Sequence, residues 1–142
     1  MMSDSSTVFR REHTLRDLRE GLATVQDEAA QALEARGYDD GARFAIRLAL
    51  EEAIVNAFRH GNKLDPAKVV FFRTQIDGQE AVFEVEDQGP GFDPETIPDP
   101  THDDNLEIPS GRGVMLIKAY MTEVEYRPPG NVLRMVWRKP KG

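Results

Sequence analysis

A chain of 142 residues, 39% of them hydrophobic, is long enough to close one sizeable core and too short for two comfortable ones. Its formal charge of -7, with the acids spread along the chain, opposes an electrostatic grip on nucleic-acid phosphates or anionic lipid. The absence of cysteine excludes disulfide frameworks, thiolate metal sites and cysteine nucleophiles, and no apolar run approaches the roughly 18–20 residues that span a bilayer. Met1 to Ser6 has no cationic start followed by an apolar stretch. The expectation is one cytoplasmic domain over 1–142 with neither nucleic acid nor membrane as a direct partner.

Thr7-Val8-Phe9-Arg10 is rich in strand formers and suggests a short edge strand. Leu15, Leu18, Leu22, Val25, Ala29 and Leu33 then recur at spacings of three and four, which predicts an amphipathic helix stopped by Gly37. Such a stripe covers its own sheet or meets a partner. A second helix is predicted from about Asp39 to His60, with Asp39 or Asp40 as N-cap and Gly61-Asn62 as stop signal. Val69 to Ile76 and Ala81 to Glu86 read as a hairpin across Asp77-Gly78. The stretch 92–110 carries Pro94, Pro98, Pro100 and Pro109 among scattered acids without periodicity, and so long a connection suggests a lid. After Gly111-Arg112-Gly113, the run Val114 to Ile117 starts a third helix, and Thr122 to Arg127 and Val132 to Arg138 form a closing antiparallel pair. This order predicts an α+β fold, a two-layer sandwich with about three helices on one face of a mixed, mostly antiparallel sheet.

Glu52, Asn56 and His60 are four apart, so steps of about 100° bring them onto one polar stripe of the second helix. Ala45, Ala49 and Ala53 flank that stripe and leave room for a ligand, while Leu50, Ile54, Ala57 and Phe58 face the core. An Asn oxygen suits Mg2+ and a neighbouring carboxylate can orient or deprotonate a hydroxyl, the groups that phosphoryl transfer needs. The same spacing also describes a solvated helix face. Asp87 continues the inward parity of Ala81, Phe83 and Val85, so its carboxylate points to the apolar side and needs donors there, such as the amino group of an adenine. Gly89 and Gly91 let backbone approach a base, although Asp87 to Gly91 also describes a capped turn. Gly111 and Gly113 at a helix start can receive phosphate oxygens, with Arg112 adding a charge-assisted contact; a plain loop hinge has the same composition. His13 and His102 are isolated and read as surface residues, and Asp93, Asp99, Asp103 and Asp104 lack the order of a calcium loop. Trp137 with Arg138 and Lys139 is too little for nucleic-acid binding.

Glu51 to Asn62 looks like an N box, Asp87 to Asp93 like a first glycine box and Ser110 to Ile117 like a second. In this order and at these intervals they resemble the Bergerat ATP-binding superfamily of gyrase, histidine kinases, heat-shock chaperones and mismatch-repair proteins. More narrowly, the chain resembles the anti-sigma-factor serine kinases, by its size, its lack of a phosphoacceptor helix, the Asn56-Ala57-Phe58-Arg59-His60-Gly61 phrase and the closing Met121-Thr122-Glu123-Val124. The resemblance implies ATP and Mg2+ as cofactors, Asn56 as metal ligand, Glu52 as base or orienting carboxylate and Asp87 as adenine anchor. Gly89 and Gly91 would line the base, and Gly111 and Gly113 the phosphates. It also implies phosphorylation of a serine or threonine on an anti-anti-sigma-type antagonist, release of a sigma factor or other regulator, and a homodimer. Where many relatives open the last strand with Gly-Thr, this chain has Gly130-Asn131; Asn131 shares the parity of Leu133 and Met135 and can replace the hydroxyl as a hydrogen-bonding group at the nucleotide site. The rival expectation is a nucleotide-gated binding module without useful kinase activity.

Overall fold

The computed structural model describes residues 7–90, 111–128 and 131–140. The segment 92–110 read as a lid lies outside them, as do Gly91 and Pro129-Gly130.

The first strand, β1 (Phe9–Leu15), is longer than Thr7 to Arg10 suggested. Leu15, which spacing assigned to the first helix, is the buried last residue of β1. The misreading has a physical origin: Leu15 packs over the opening turn of the helix, where a Cβ on Gly21 would lie 3.1 Å from its own Cβ. Helix α1 (Leu18–Ala35) begins when the Asp17 carboxylate accepts the Glu20 N–H at 2.8 Å. It closes at Gly37, whose φ of +79° lies in the left-handed region that glycine tolerates. Asp39 caps α2 (Asp40–Asn56) by accepting the Ala42 N–H at 2.8 Å. The α-helix stops at Asn56 and does not continue to His60, because Ala57–Gly61 form a π-helical turn.

Strands β2 (Val70–Ile76) and β3 (Glu80–Glu86) make the expected hairpin, with the Asp77 carboxylate accepting the Gln79 and Glu80 N–H groups at 2.7 and 2.9 Å. Helix α3 (Gly111–Tyr120) includes Gly111 and Gly113 in its opening turn, where the sequence placed them ahead of the helix. Strands β4 (Glu123–Arg127) and β5 (Val132–Arg138) pair antiparallel.

The sheet order is β1-β2-β3-β5-β4, and every ladder among the described strands is antiparallel, so the expected mixed component is not found there. Alternation aims Val70, Phe72, Ile76, Phe83, Val85, Leu133 and Met135 at one face, where they are buried against Val25 and Leu33 of α1, Ile46, Leu50 and Ile54 of α2 and Ile117 of α3. This is the two-layer α+β sandwich. The opposite face is charged: Glu12, Arg73, Glu84, Arg134 and Glu125 stand in register across the strands. Glu84 pairs there with Arg73 at 3.0 Å and with Arg127 at 2.9 Å. A face so charged cannot serve as a core, which leaves one side for all the helices. His13 is less exposed than expected, with Nε2 2.9 Å from Glu28 Oε1 and so linking β1 to α1. Trp137 packs on Tyr38 with ring centroids 5.7 Å apart.

Candidate functional site

The C-terminal end of α2, the π turn and the turn after β3 converge. Glu52 and Asn56 lie one turn apart on α2 and are both half-buried. Their inner neighbours Ala49, Ala53, Leu50 and Ile54 are buried as the helical projection requires. Beyond Asn56 the wider π turn takes over, marked by the Asn62 N–H donating to Ala57 O, five residues back, at 2.9 Å. His60 lies within this π turn and is half-buried.

Asp87 follows β3 with the inward parity expected, and its carboxylate lies against Gly61. A Cβ on Gly61 would run into that carboxylate, and a Cβ on Gly89 would run into the Gly61 carbonyl oxygen. Both glycines are therefore required by close approach of two turns. Asp87 Oδ1 accepts the Gly89 N–H at 2.8 Å. Burial pushes the Asp87 carboxyl up to about 6; the Gly89 N–H opposes this shift, neighbouring Glu86 adds to it and Lys68 opposes it. At neutral pH the group is an ionised, largely dehydrated acceptor, suited to a ligand N–H.

Asn131 reaches the backbone of Asp87: the Asp87 N–H donates to Asn131 O at 3.0 Å and Asn131 Nδ2 donates to Asp87 O at 3.0 Å. Gly111, Arg112 and Gly113 open α3, which packs against α2. Gly91 lies outside the described residues.

Sequence reasoning missed the role of Asn62, read as part of a helix stop and as the last residue of the N box. It is 1% exposed, and its side chain ties three segments together. Nδ2 donates to Val69 O at 2.9 Å, and Oδ1 accepts the Gln88 N–H at 2.7 Å. Gln88 Oε1 in turn accepts the Val69 N–H at 2.7 Å. A local pattern carries no signal for this role, since the Asn62 partners lie 7 and 26 residues away.

The residues present fit a magnesium nucleotide. Among the described residues, Asn56 Nδ2 is buried without a hydrogen-bond partner, an arrangement that costs about 1–3 kcal/mol in a finished core. Rotation of that amide presents its oxygen in the same position, a hard ligand for Mg2+. Among the described residues no three His, Asp or Glu side chains group as a metal cage. Mg2+ ordinarily takes only one or two protein ligands and completes its shell with phosphates and water, so a single Asn is adequate.

Set beside known proteins, residues 15–137 match the histidine kinase-like ATPase domain family. The Anti-sigma F factor of Clostridium perfringens, in strains SM101, ATCC 13124 and 13, is 33% identical over 82 residues. That match covers 56% of this chain and 59% of each relative, so the chain spans about three-fifths of the length of the curated relatives it matches.

Proposed function

Because the chain belongs to the histidine kinase-like ATPase domain family, which implies ATP binding, we propose that it is a Mg2+-dependent serine/threonine protein kinase acting as an anti-sigma-factor-like regulator. It is read as a single cytoplasmic domain over 1–142 with 92–110 as its ATP lid. It holds a sigma factor or comparable target, and phosphorylates an antagonist protein that loses affinity once modified; likeness to the Anti-sigma F factors supports this choice of partners. The observation that carries the reading is the buried, unpartnered Asn56 amide one turn from the Glu52 carboxylate. Glu52 orients the attacking serine or threonine hydroxyl and receives its proton as that oxygen bonds to the terminal phosphorus and ADP departs. Asn56 supplies an oxygen to the metal, which when bound neutralises charge on the phosphates. Asp87 accepts from the adenine amino group, and Asn131 fixes the backbone that carries it. His60 borders the phosphate end from the π turn, while Gly111, Arg112 and Gly113 offer backbone amides and a cation to the phosphates, and Gly89 and Gly91 line the base.

Thermal unfolding with ATP, ADP or no nucleotide, each with and without Mg2+, tests the site. Nucleotide at 100 times its Kd adds about 2.7 kcal/mol, a shift of several degrees. Asp87→Asn should lose about half of that shift or more. Phosphotransfer to candidate antagonists then tests the chemistry: Glu52→Ala should abolish transfer and spare ATP affinity. Transfer at the parental rate would remove Glu52 from the mechanism, and a nucleotide shift without transfer to any antagonist would leave a nucleotide-gated binding module.

A further inference from the structure

Asn62 is a fully buried amide with both ends in use, which distinguishes it from the neighbouring Asn56. Its Oδ1 holds the backbone N–H of Gln88, the residue next to Asp87, at 2.7 Å, and its Nδ2 holds the Val69 carbonyl at 2.9 Å. Its own N–H closes the π turn on Ala57 at 2.9 Å. One side chain thus joins the turn that follows Asn56 to the turn that carries Asp87. The contact it enforces is close, since Gly61 and Gly89 have no room for a Cβ between Asp87 and the Gly61 carbonyl.

A second observation points the same way. Directly after Asn62 the chain passes through Lys63 and Leu64 with φ of 54° and 58°, a left-handed pair without glycine. Such residues cost on the order of 1–3 kcal/mol each and persist where surrounding bonds over-determine them. Here the Leu64 N–H donates to Phe58 O at 2.8 Å and the Asp65 N–H to Asn62 O at 3.0 Å, so the strained pair is held from both sides. These bonds offset the strain and fix the path of the chain as it leaves the π turn.

We infer that Asn62 is the positioning residue for base selectivity: it fixes the Asp87–Gly89 turn against Gly61, so that the carboxylate meets a 6-amino purine in one geometry. The inference rests on the reading of Asp87 as the adenine anchor. A carboxylate free to shift would still bind a nucleotide through its phosphates, but would distinguish purines poorly, because discrimination by a hydrogen bond depends on its geometry.

The test compares the affinities of ATP and of purine riboside triphosphate, which lacks the 6-amino group, for the parent chain, Asn62→Ala, Asp87→Asn and the double variant. The parent should favour ATP by about tenfold or more, as one charge-assisted hydrogen bond supplies. Asn62→Ala should lose most of that preference by weakening ATP while leaving the analogue nearly unchanged, and adding Asp87→Asn should remove little more. If Asn62→Ala does not fold, Asn62→Ser takes its place: its hydroxyl keeps a polar group in the buried position but cannot span both partners, and it should lose the preference too. A parental preference that survives in the folded variant, or an equal loss for both nucleotides, overturns the inference alone. A parent without preference overturns the reading of Asp87 itself and the inference with it.

Discussion

Asp87 is ionised at neutral pH against the pull of its surroundings, and this has a sign that can be measured. Its carboxyl is raised from 3.8 to about 6 in the folded protein, so the unfolded chain releases this proton first as pH rises. The contribution of this one group to stability is therefore most favourable below about pH 4, falls between about 4 and 6, and is a fixed penalty above. Asp87→Asn should stabilise the nucleotide-free protein at pH 7.5 and change little at pH 4, as read from urea unfolding at both values, with solvent access to the carboxylate keeping the gain small. Affinity for ATP should move oppositely, declining as pH drops below about 6 where the acceptor is protonated; in Asp87→Asn titration calorimetry should find a flat profile. The inward aim of Asp87 was legible from two-residue alternation along β3. The reason for Gly89 was not. It was read as a surface for the base, and it also makes room for the Gly61 carbonyl oxygen, from a turn far away in sequence.

Helix α2 shows how unevenly an element can be read. Its start was legible because an N-cap is a local device: Asp39 reaches the Ala42 N–H three residues on. Asp39→Ala should lower stability by about 1 kcal/mol in thermal unfolding while leaving nucleotide affinity unchanged, because the site lies at the other end of the helix. Its end was misplaced. Nothing in Ala57-Phe58-Arg59-His60 departs from helical composition, and the π turn is held by bonds from Asn62 and Leu64 back to Ala57 and Phe58. Likewise Leu15 fits the apolar spacing of α1 and the alternation of β1 equally well, and its pairing with Val70 decides the matter.

Phe83 lies at the centre of the molecule, on the middle strand of the sheet, with no exposed surface and its ring 6.1 Å from that of Phe72. Phe83→Ala should cost about 3–5 kcal/mol, a large part of the 5–15 kcal/mol by which domains are stable. Saturating ATP should recover part of that loss in denaturant unfolding, since binding adds its own free energy to the folded state. The loss would also reach Asp87, which directly follows the same strand. On the outer face, the row from Glu12 to Glu125 alternates in sign, a pattern that emerges only when five separate strands are brought into register.

The amino-acid sequence by itself determined the fold class, the hairpin, the Gly37 stop of the first helix, the N-cap of the second and the boxes that hold Glu52, Asn56, Asp87 and the glycines. Each of these depends on alternation, spacing or capping within a few residues, and such patterns survive in one dimension. Tertiary structure alone decided the π turn, the all-antiparallel pairing of the described strands, the closeness of Gly61 and Gly89, the grip of Asn131 on the Asp87 backbone and the part played by Asn62. These depend on hydrogen bonds and contacts between distant segments, whose partners exist only once the sheet and the helices have closed on one core.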